Sequence, residues 1–186
     1  MSLVELVDNT RTDKNTCHSY LELYENLLNR KKYTAKNILE IGICNGGSIK
    51  LWHDYFENAK IYGLDIMNEI NVWDELKNKE RIILHTSVDA YNMNFYIDNL
   101  LNKNIKFDMI LDDGPHTLES MKTFIVLYSQ LLSDDGILIL EDIQSPDWLD
   151  VLVKCVPEHL KQYVKIHDLR HIKGRYDDLV LVIDKK

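Results

Sequence analysis

The chain has 186 residues, 45% hydrophobic and 28% charged, with a net charge of −8, the profile of a globular protein with its own core rather than of a disordered tract. The acidic balance disfavours nucleic acid as a partner, because negative surfaces repel phosphate backbones. No run of about 18 apolar residues offers a membrane span, the first twenty residues lack the basic-then-apolar order of a signal peptide, and Cys17, Cys44 and Cys155 are too scattered for a disulfide framework or zinc site, which fits a cytoplasmic protein.

In chain order, SYLELYENLLNRKK (19–32) has apolar residues at helical spacing and predicts an amphipathic helix. Strand and helix then alternate. NILEIG (37–42) predicts a strand and SIKLWHDYF (48–56) a helix, KIYGLDI (60–66) a strand and VWDELKNK (72–79) a short helix. RIILHT (81–86) and MNFYIDNLLNKN (93–104) repeat the pair, as do FDMILDD (107–113) and TLESMKTFIVLYSQLLS (117–133). GILILED (136–142) is followed by a mostly helical DWLDVLVKCVPEHL (147–160). Two closing strands, YVKIHDL (163–169) and DLVLVID (178–184), flank RHIKGRYD. The expected organisation is one domain over 1–186, with a helical segment at 1–35 and an α/β core at 36–186.

Such alternation means a mostly parallel, doubly wound sheet with helices on both faces. The last two strands are joined by too few residues for a crossover helix, so they should be antiparallel. A seven-stranded, Rossmann-like sheet with an antiparallel last strand is the class I methyltransferase architecture. Ligands in such sheets sit beyond the carboxyl ends of the strands. Here those ends read Glu40-Ile41-Gly42, Asp65, Thr86-Ser87, Asp112-Asp113 and Glu141-Asp142. That concentration of carboxylates asks for a ligand.

A dinucleotide fingerprint would need glycine at 42, 44 and 47, but position 44 is Cys44. The pattern present is Glu40, Gly42, Gly46 and Gly47. Gly42 permits the turn after the strand, and Gly46 and Gly47 allow a ligand to approach the backbone before the helix. Glu40 suits a cationic amino-acid ligand better than a pyrophosphate. S-adenosylmethionine (SAM) has an ammonium, a sulfonium and no phosphate. Asp65 stands where an acid grips ribose hydroxyls, about 20 residues on. The expected cofactor set from this half is Glu40, Gly42, Asn45, Gly46, Gly47, Ser48, Asp65 and Ile66, with Asp112 added from the fourth strand. The alternative is a tight strand-helix turn with solvated acids.

Asp112, Asp113, Glu141 and Asp142 end adjacent strands about 5 Å apart. Packed carboxylates raise one another's pKa values, and a hard divalent cation with all-oxygen ligands relieves the repulsion, as Mg²⁺ or Mn²⁺ would.

ILEIGICNGGSIKLWHDYFENAKIYGLDI resembles the SAM-binding half of the macrocin-type sugar O-methyltransferases, and TDKNTCHSYLELYENLL (12–28), FDMILDDGPH and LILEDI are similar to further motifs of that family. The resemblance implies a metal-dependent enzyme that methylates a sugar hydroxyl on a glycoside or a nucleotide-linked deoxysugar. It implies Asp113, Glu141 and Asp142 as metal ligands and His116 as general base beside Asp113. The family usually has Ser where Pro115 stands. At SVDAY (87–91) this sequence has Ser87 where the family has an acid, and Asp89 becomes the candidate for adenine contacts together with Ser87. Thr12, Lys14, His18 and Tyr20 would form a lid over SAM, with Lys14 and Tyr20 in the cofactor set; the alternative is an ordinary approach to a helix.

Arg170, His171, Lys173 and Arg175 could hold a nucleotide-sugar diphosphate, although a solvated turn explains them more simply. Trp148, Tyr163 and Tyr176 could stack on a sugar but suit a core equally. His53, His85, His159 and His167 read as structural. Rival functions are a Mg²⁺-dependent catechol-type methyltransferase, a hydroxylase, which an all-carboxylate cluster disfavours, and a non-catalytic SAM-binding module. The acceptor and the oligomeric state, a homo-oligomer among the options, are not legible in the residues.

Overall fold

The computed structural model describes residues 1–186. Seven strands form one sheet: β1 (Asn37–Ile41), β2 (Lys60–Leu64), β3 (Ile82–His85), β4 (Phe107–Asp112), β5 (Leu132–Leu140), β6 (Val164–Asp168) and β7 (Leu179–Asp184). Their spatial order is β3-β2-β1-β4-β5-β7-β6. β1 pairs in parallel with β2 and β4, and β7 runs antiparallel to both β5 and β6. This is a Rossmann-like class I methyltransferase fold. The chain leaves β1 outward through β2 and β3, then returns to place β4 on the other side of β1. That reversal opens a crevice above the carboxyl ends of β1 and β4.

The central strands are buried on both faces, which is why they read as near-continuous apolar runs. One layer of core gathers Ile38, Ile61, Met109, Leu111 and Val182 under α2 (Tyr20–Leu28) and α3 (Gly47–Tyr55). The other gathers Leu39, Ile110, Leu138 and Leu181 under α6 (Leu118–Tyr128). α2 buries Tyr20, Leu21, Tyr24, Leu27 and Leu28, one face of a 3.6-residue period. Full burial of each such aliphatic side chain contributes about 1.5–3 kcal/mol. Thr117 caps α6 by accepting from the Ser120 amide, and the Ser120 hydroxyl accepts from the Thr117 amide.

Several boundaries differ from the sequence expectation. Ser2 and Glu5 form a capping box around a short α1 (Leu3–Leu6), whose Leu3 is fully buried. The helix expected over 72–79 contracts to α4 (Asp74–Lys77), and α5 spans Met93–Asn99. The helix expected over 147–160 splits into α7 (Leu149–Cys155) and a 3₁₀ stretch from Glu158. Pro157 explains the break: it pushes the preceding Val156 to an extended ψ of 130°. The RHIKGRYD segment, expected as a plain turn, contains α8 (Arg170–Lys173), closed by Gly174 in the left-handed region. No helix is long and apolar enough to cross a membrane.

Candidate functional site

A cleft of about 800 Å³ opens over the carboxyl ends of β1, β2 and β4. Of the residues singled out from sequence, Gly42, Gly47, Ser48, Asp65, Ile66, Asp89, Asp113, His116 and Asp142 line it. Lys14, Tyr20, Glu40, Asn45, Gly46, Ser87, Asp112 and Glu141 do not. Part of the wall comes from Asn9–Asp13 and Thr16, a strap between α1 and α2.

The turn after β1 is shaped by packing of the chain on itself. Gly42 has φ +82°, and a Cβ there would lie 1.8 Å from the Asp113 carbonyl oxygen. A Cβ on Gly47 would lie 2.0 Å from the carbonyl oxygen of Arg11. The sequence reading gave Gly47 to ligand approach; the structure gives that space to the strap. Gly46 adopts φ +94°, a conformation cheap only for glycine. Asp65 fixes the loop from the second strand. Its Oδ2 accepts from the Ile43 and Cys44 amides at 2.8 and 2.9 Å, and its Oδ1 from the Met67 amide at 2.7 Å.

Glu40, expected to face the ligand, lies instead beneath the turn, wholly buried. It accepts from Ser48 Oγ at 2.7 Å and Trp52 Nε1 at 3.1 Å. Burial pushes its carboxyl up to about 7, against the pull of Lys14. Asp112 is likewise below the cleft floor, bonded by the Tyr91 hydroxyl at 2.5 Å, and burial raises it to about 7. Asn45 reaches away to the Asn71 carbonyl. Ser87 takes a positive φ of 56° at the end of β3.

The acid centre is assembled by side chains from the N-terminal segment. Lys14 Nζ is 1% exposed and donates to Asp113 Oδ2 at 2.7 Å and to Glu141 Oε1, with Glu40 Oε1 at 3.7 Å. Burial opposes its charge, but Asp113, Glu141 and Glu40 outweigh that and hold the ammonium well above the usual lysine range. The Tyr20 hydroxyl donates to Asp142 Oδ1 and the Tyr24 hydroxyl to Glu141 Oε2. Lys14 and Tyr20 therefore grip the acids, where the sequence reading had them over the cofactor. Burial, then neighbouring carboxylates, raise Glu141 and Asp142 above the ordinary range, partly countered by Lys14 and by Tyr20.

Asp113, His116 and Asp142 bring one ligand atom each within 4.8 Å of one another. His116 Nε2 lies 3.6 Å from Asp113 Oδ1 and 3.6 Å from Asp142 Oδ2. Glu141, expected as the third acid of a metal site, is turned to Lys14 and Tyr24 instead. Cys44, Ser87, His116 and Asp142 all have positive φ, so non-glycine residues at the ends of β1, β3, β4 and β5 are held in a sparsely populated region of the kind that clusters at functional sites.

Tyr24, Tyr91 and Trp52 have no assigned role in the sequence, and Lys173, a candidate there for a sugar diphosphate, is bound to the strap instead. Tyr20 and Tyr24 are four apart, one turn of α2, and that spacing was the available signal. Lys173 Nζ donates to the carbonyls of Asn15, Thr16 and His18, so the closing hairpin clamps the strap. Trp148 and Tyr163 pack against the core, whereas Tyr176 is exposed and donates to Gln144 Oε1 at 2.7 Å.

No family model matches the chain. Mycinamicin VI 2''-O-methyltransferase of Micromonospora griseorubida is 29% identical over 118 residues, covering 60% of this chain and 28% of that protein. Demethylmacrocin O-methyltransferase of Streptomyces fradiae is 26% identical over 78% of this chain and 37% of its own length. The chain thus spans about a third of the length of these relatives. Among solved structures, MycE methyltransferase from the mycinamycin biosynthetic pathway, in complex with Mg and SAH, superimposes with a TM-score of 0.77 at 21% identity, over 100% of this chain and 55% of that one. In sequence and in fold, the chain resembles the macrocin-type sugar O-methyltransferases.

Proposed function

We propose that residues 1–186 are a single SAM-dependent O-methyltransferase domain, assisted by Mg²⁺ or Mn²⁺, that methylates a sugar hydroxyl on a small glycoside or nucleotide-linked deoxysugar. The observation that carries this reading is that one cleft joins the Asp65 strand end to the Asp113–His116–Asp142 cluster. The relatives named as sugar O-methyltransferases support the acceptor class. Free cysteines fit a cytoplasmic setting, and a homo-oligomer is compatible with it.

The residues fit both implied groups. Asp13, Asp65, Asp89, Asp113 and Asp142 line the cleft, against Arg11 as its one permanently cationic side chain. That balance suits a cationic donor without phosphate. Asp113 and Asp142, with Glu141 once Lys14 yields it, are hard oxygen donors that suit Mg²⁺. When bound, SAM supplies an electrophilic methyl and the cation lowers the pKa of a nearby alcohol.

The chain's own residues do the rest. Gly42, Gly47, Ser48 and Asp65 shape the donor end, with Ile66 and Asp89 at its adenine side. His116 Nε2 accepts the proton of the acceptor hydroxyl. Asp113 Oδ1 and Asp142 Oδ2 each lie 3.6 Å from that nitrogen, which sets His116 beside the acids that would hold the cation. The strap over the cleft excludes water. The test is SAH release from SAM over a panel of glycosides and nucleotide deoxysugars, with Mg²⁺ and with EDTA. Turnover abolished by EDTA and lowered about 10²–10⁴-fold by His116→Ala is expected. Turnover indifferent to EDTA would overturn the metal assignment. Turnover on catechols alone would overturn the sugar assignment.

A further inference from the structure

A second cluster lies behind the first. His18, Asp177 and Asp178 also bring one ligand atom each within 4.8 Å of one another, and all three are buried, at 5%, 5% and 0% exposure. His18 Nδ1 sits 2.7 Å from Asp178 Oδ1 and 3.3 Å from Asp142 Oδ1. Asp177 Oδ1 and Asp178 Oδ2 are buried with no hydrogen-bond partner. An unsatisfied buried carboxylate oxygen is expensive, and the two acids that cluster with His18 each keep one.

We propose that His18, Asp177 and Asp178 form a second divalent-cation site, sharing Asp142 with the first. The shared ligand rests on the reading that Asp113 and Asp142 hold a cation; the His18–Asp177–Asp178 site does not. Octahedral ions with bonds of about 2.1 Å place neighbouring ligand atoms about 3 Å apart, and the 2.7 and 3.3 Å contacts of His18 Nδ1 bracket that spacing. One imidazole with two carboxylates is the donor set of a borderline ion, Mn²⁺, Fe²⁺ or Zn²⁺, rather than Ca²⁺. The burial points the same way, since Mg²⁺ gives up its water reluctantly.

The surroundings define the site. Arg175 holds the outer oxygen of Asp177, Oδ2, at 2.9 Å. Lys173 binds the carbonyl of His18, which fixes the strap bearing the imidazole. Two residues of the cleft wall reach the imidazole: Asp13 Oδ2 is 3.8 Å from His18 Nε2 and Asp142 Oδ1 is 3.3 Å from Nδ1. Asp142 presents Oδ1 to His18 and Oδ2 to His116, one oxygen to each cluster, as a carboxylate bridging two ions would.

The test is the Mn²⁺ stoichiometry of the full chain, stripped with EDTA and titrated while free Mn²⁺ is counted by electron paramagnetic resonance. Wild type, Asp178→Asn and Asp113→Asn are compared, with circular dichroism reporting their folding. Two ions per wild-type chain with mutual spectral broadening, and one in each variant, is the expected result. One ion that Asp178→Asn removes and Asp113→Asn keeps would support this site while overturning the first. One ion that Asp178→Asn keeps, one ion lost in both variants, or none in wild type would overturn it and leave His18 and Asp178 a plain buried pair. If Asp178→Asn fails to fold, the wild-type count and the broadening decide alone: two broadened ions support the site, and fewer overturn it.

Discussion

The donor end and the acid end of the cleft are built by different means. The donor end is made of backbone: glycines in close contact with other stretches of chain, and one carboxylate, Asp65, tied to three amides. The acid end is made of side chains that meet across long stretches of sequence: Lys14, Tyr20 and Tyr24 on Asp113, Glu141 and Asp142. Backbone sites tolerate no added atom, because the clash is with a peptide group that cannot rotate aside. Side-chain sites lose function by degrees as single partners are removed.

The sharpest break comes at the donor end. Gly42→Ala should destabilise the protein on the order of 5 kcal/mol and leave little soluble chain, since it combines left-handed strain with a backbone clash. Gly174→Ala, also at positive φ but with no atom within 4 Å of the added Cβ, should lose only about 1–2 kcal/mol. Equal losses in urea unfolding would remove the clash as the cause.

Lys14→Met tests the acid end. Removing a buried ammonium strands Glu40, Asp113 and Glu141, at about 3–5 kcal/mol. Millimolar Mg²⁺ should recover part of that in thermal melts, because the cation and the ammonium serve the same carboxylates. Melts of Lys14→Met that ignore Mg²⁺ would separate the two roles.

Glu40 lies between the two ends. Its folded carboxyl titrates at about 7, against 4.5 for the ordinary group. Between those values the folded chain binds a proton that the unfolded chain has released, so stability falls as pH rises through that window. The fall is about 3 kcal/mol at most, and Glu40→Gln should flatten it in denaturant titrations at pH 5 and 8. An unchanged slope would assign the dependence to other groups.

At the acid end the smaller effect is expected from Tyr24→Phe. It removes one donor to Glu141 and should lower stability by about 1–3 kcal/mol. With Glu141 joining Asp113 and Asp142 on the ion as proposed, affinity for Mn²⁺ should fall about 10–100-fold, as is usual for outer hydrogen bonds of metal ligands. A fall in stability with affinity unchanged would make Tyr24 structural only.

The sheet was legible in the sequence because strands buried on both faces write themselves as short apolar runs between helical periods. The antiparallel ending followed from the short link at 170–177. The acids at the strand ends were legible too, since topology alone stacks them. What the strap does was not. Lys14 meets Glu141 across 127 residues, and His18 meets Asp178 across 160, and no local period encodes such meetings. For the same reason Gly47 suggested ligand approach when its neighbour is Arg11, and Glu40 suggested a cleft-facing acid when Ser48 and Trp52 cover it. The acidic pair at 177–178 carried no motif and acquired meaning only beside His18.

The clamp of Lys173 on the carbonyls of Asn15, Thr16 and His18 has a consequence for how the chain is made. The strap is made well before its later anchors, Asp113, Glu141, Lys173 and Asp178, although Glu40, Gly47 and Glu75 reach it sooner. Until those four are synthesised, Lys14 lacks two of its three carboxylates and the His18 imidazole lacks Asp178. The cleft is therefore finished late, by an earlier-made stretch of chain meeting later-made ones.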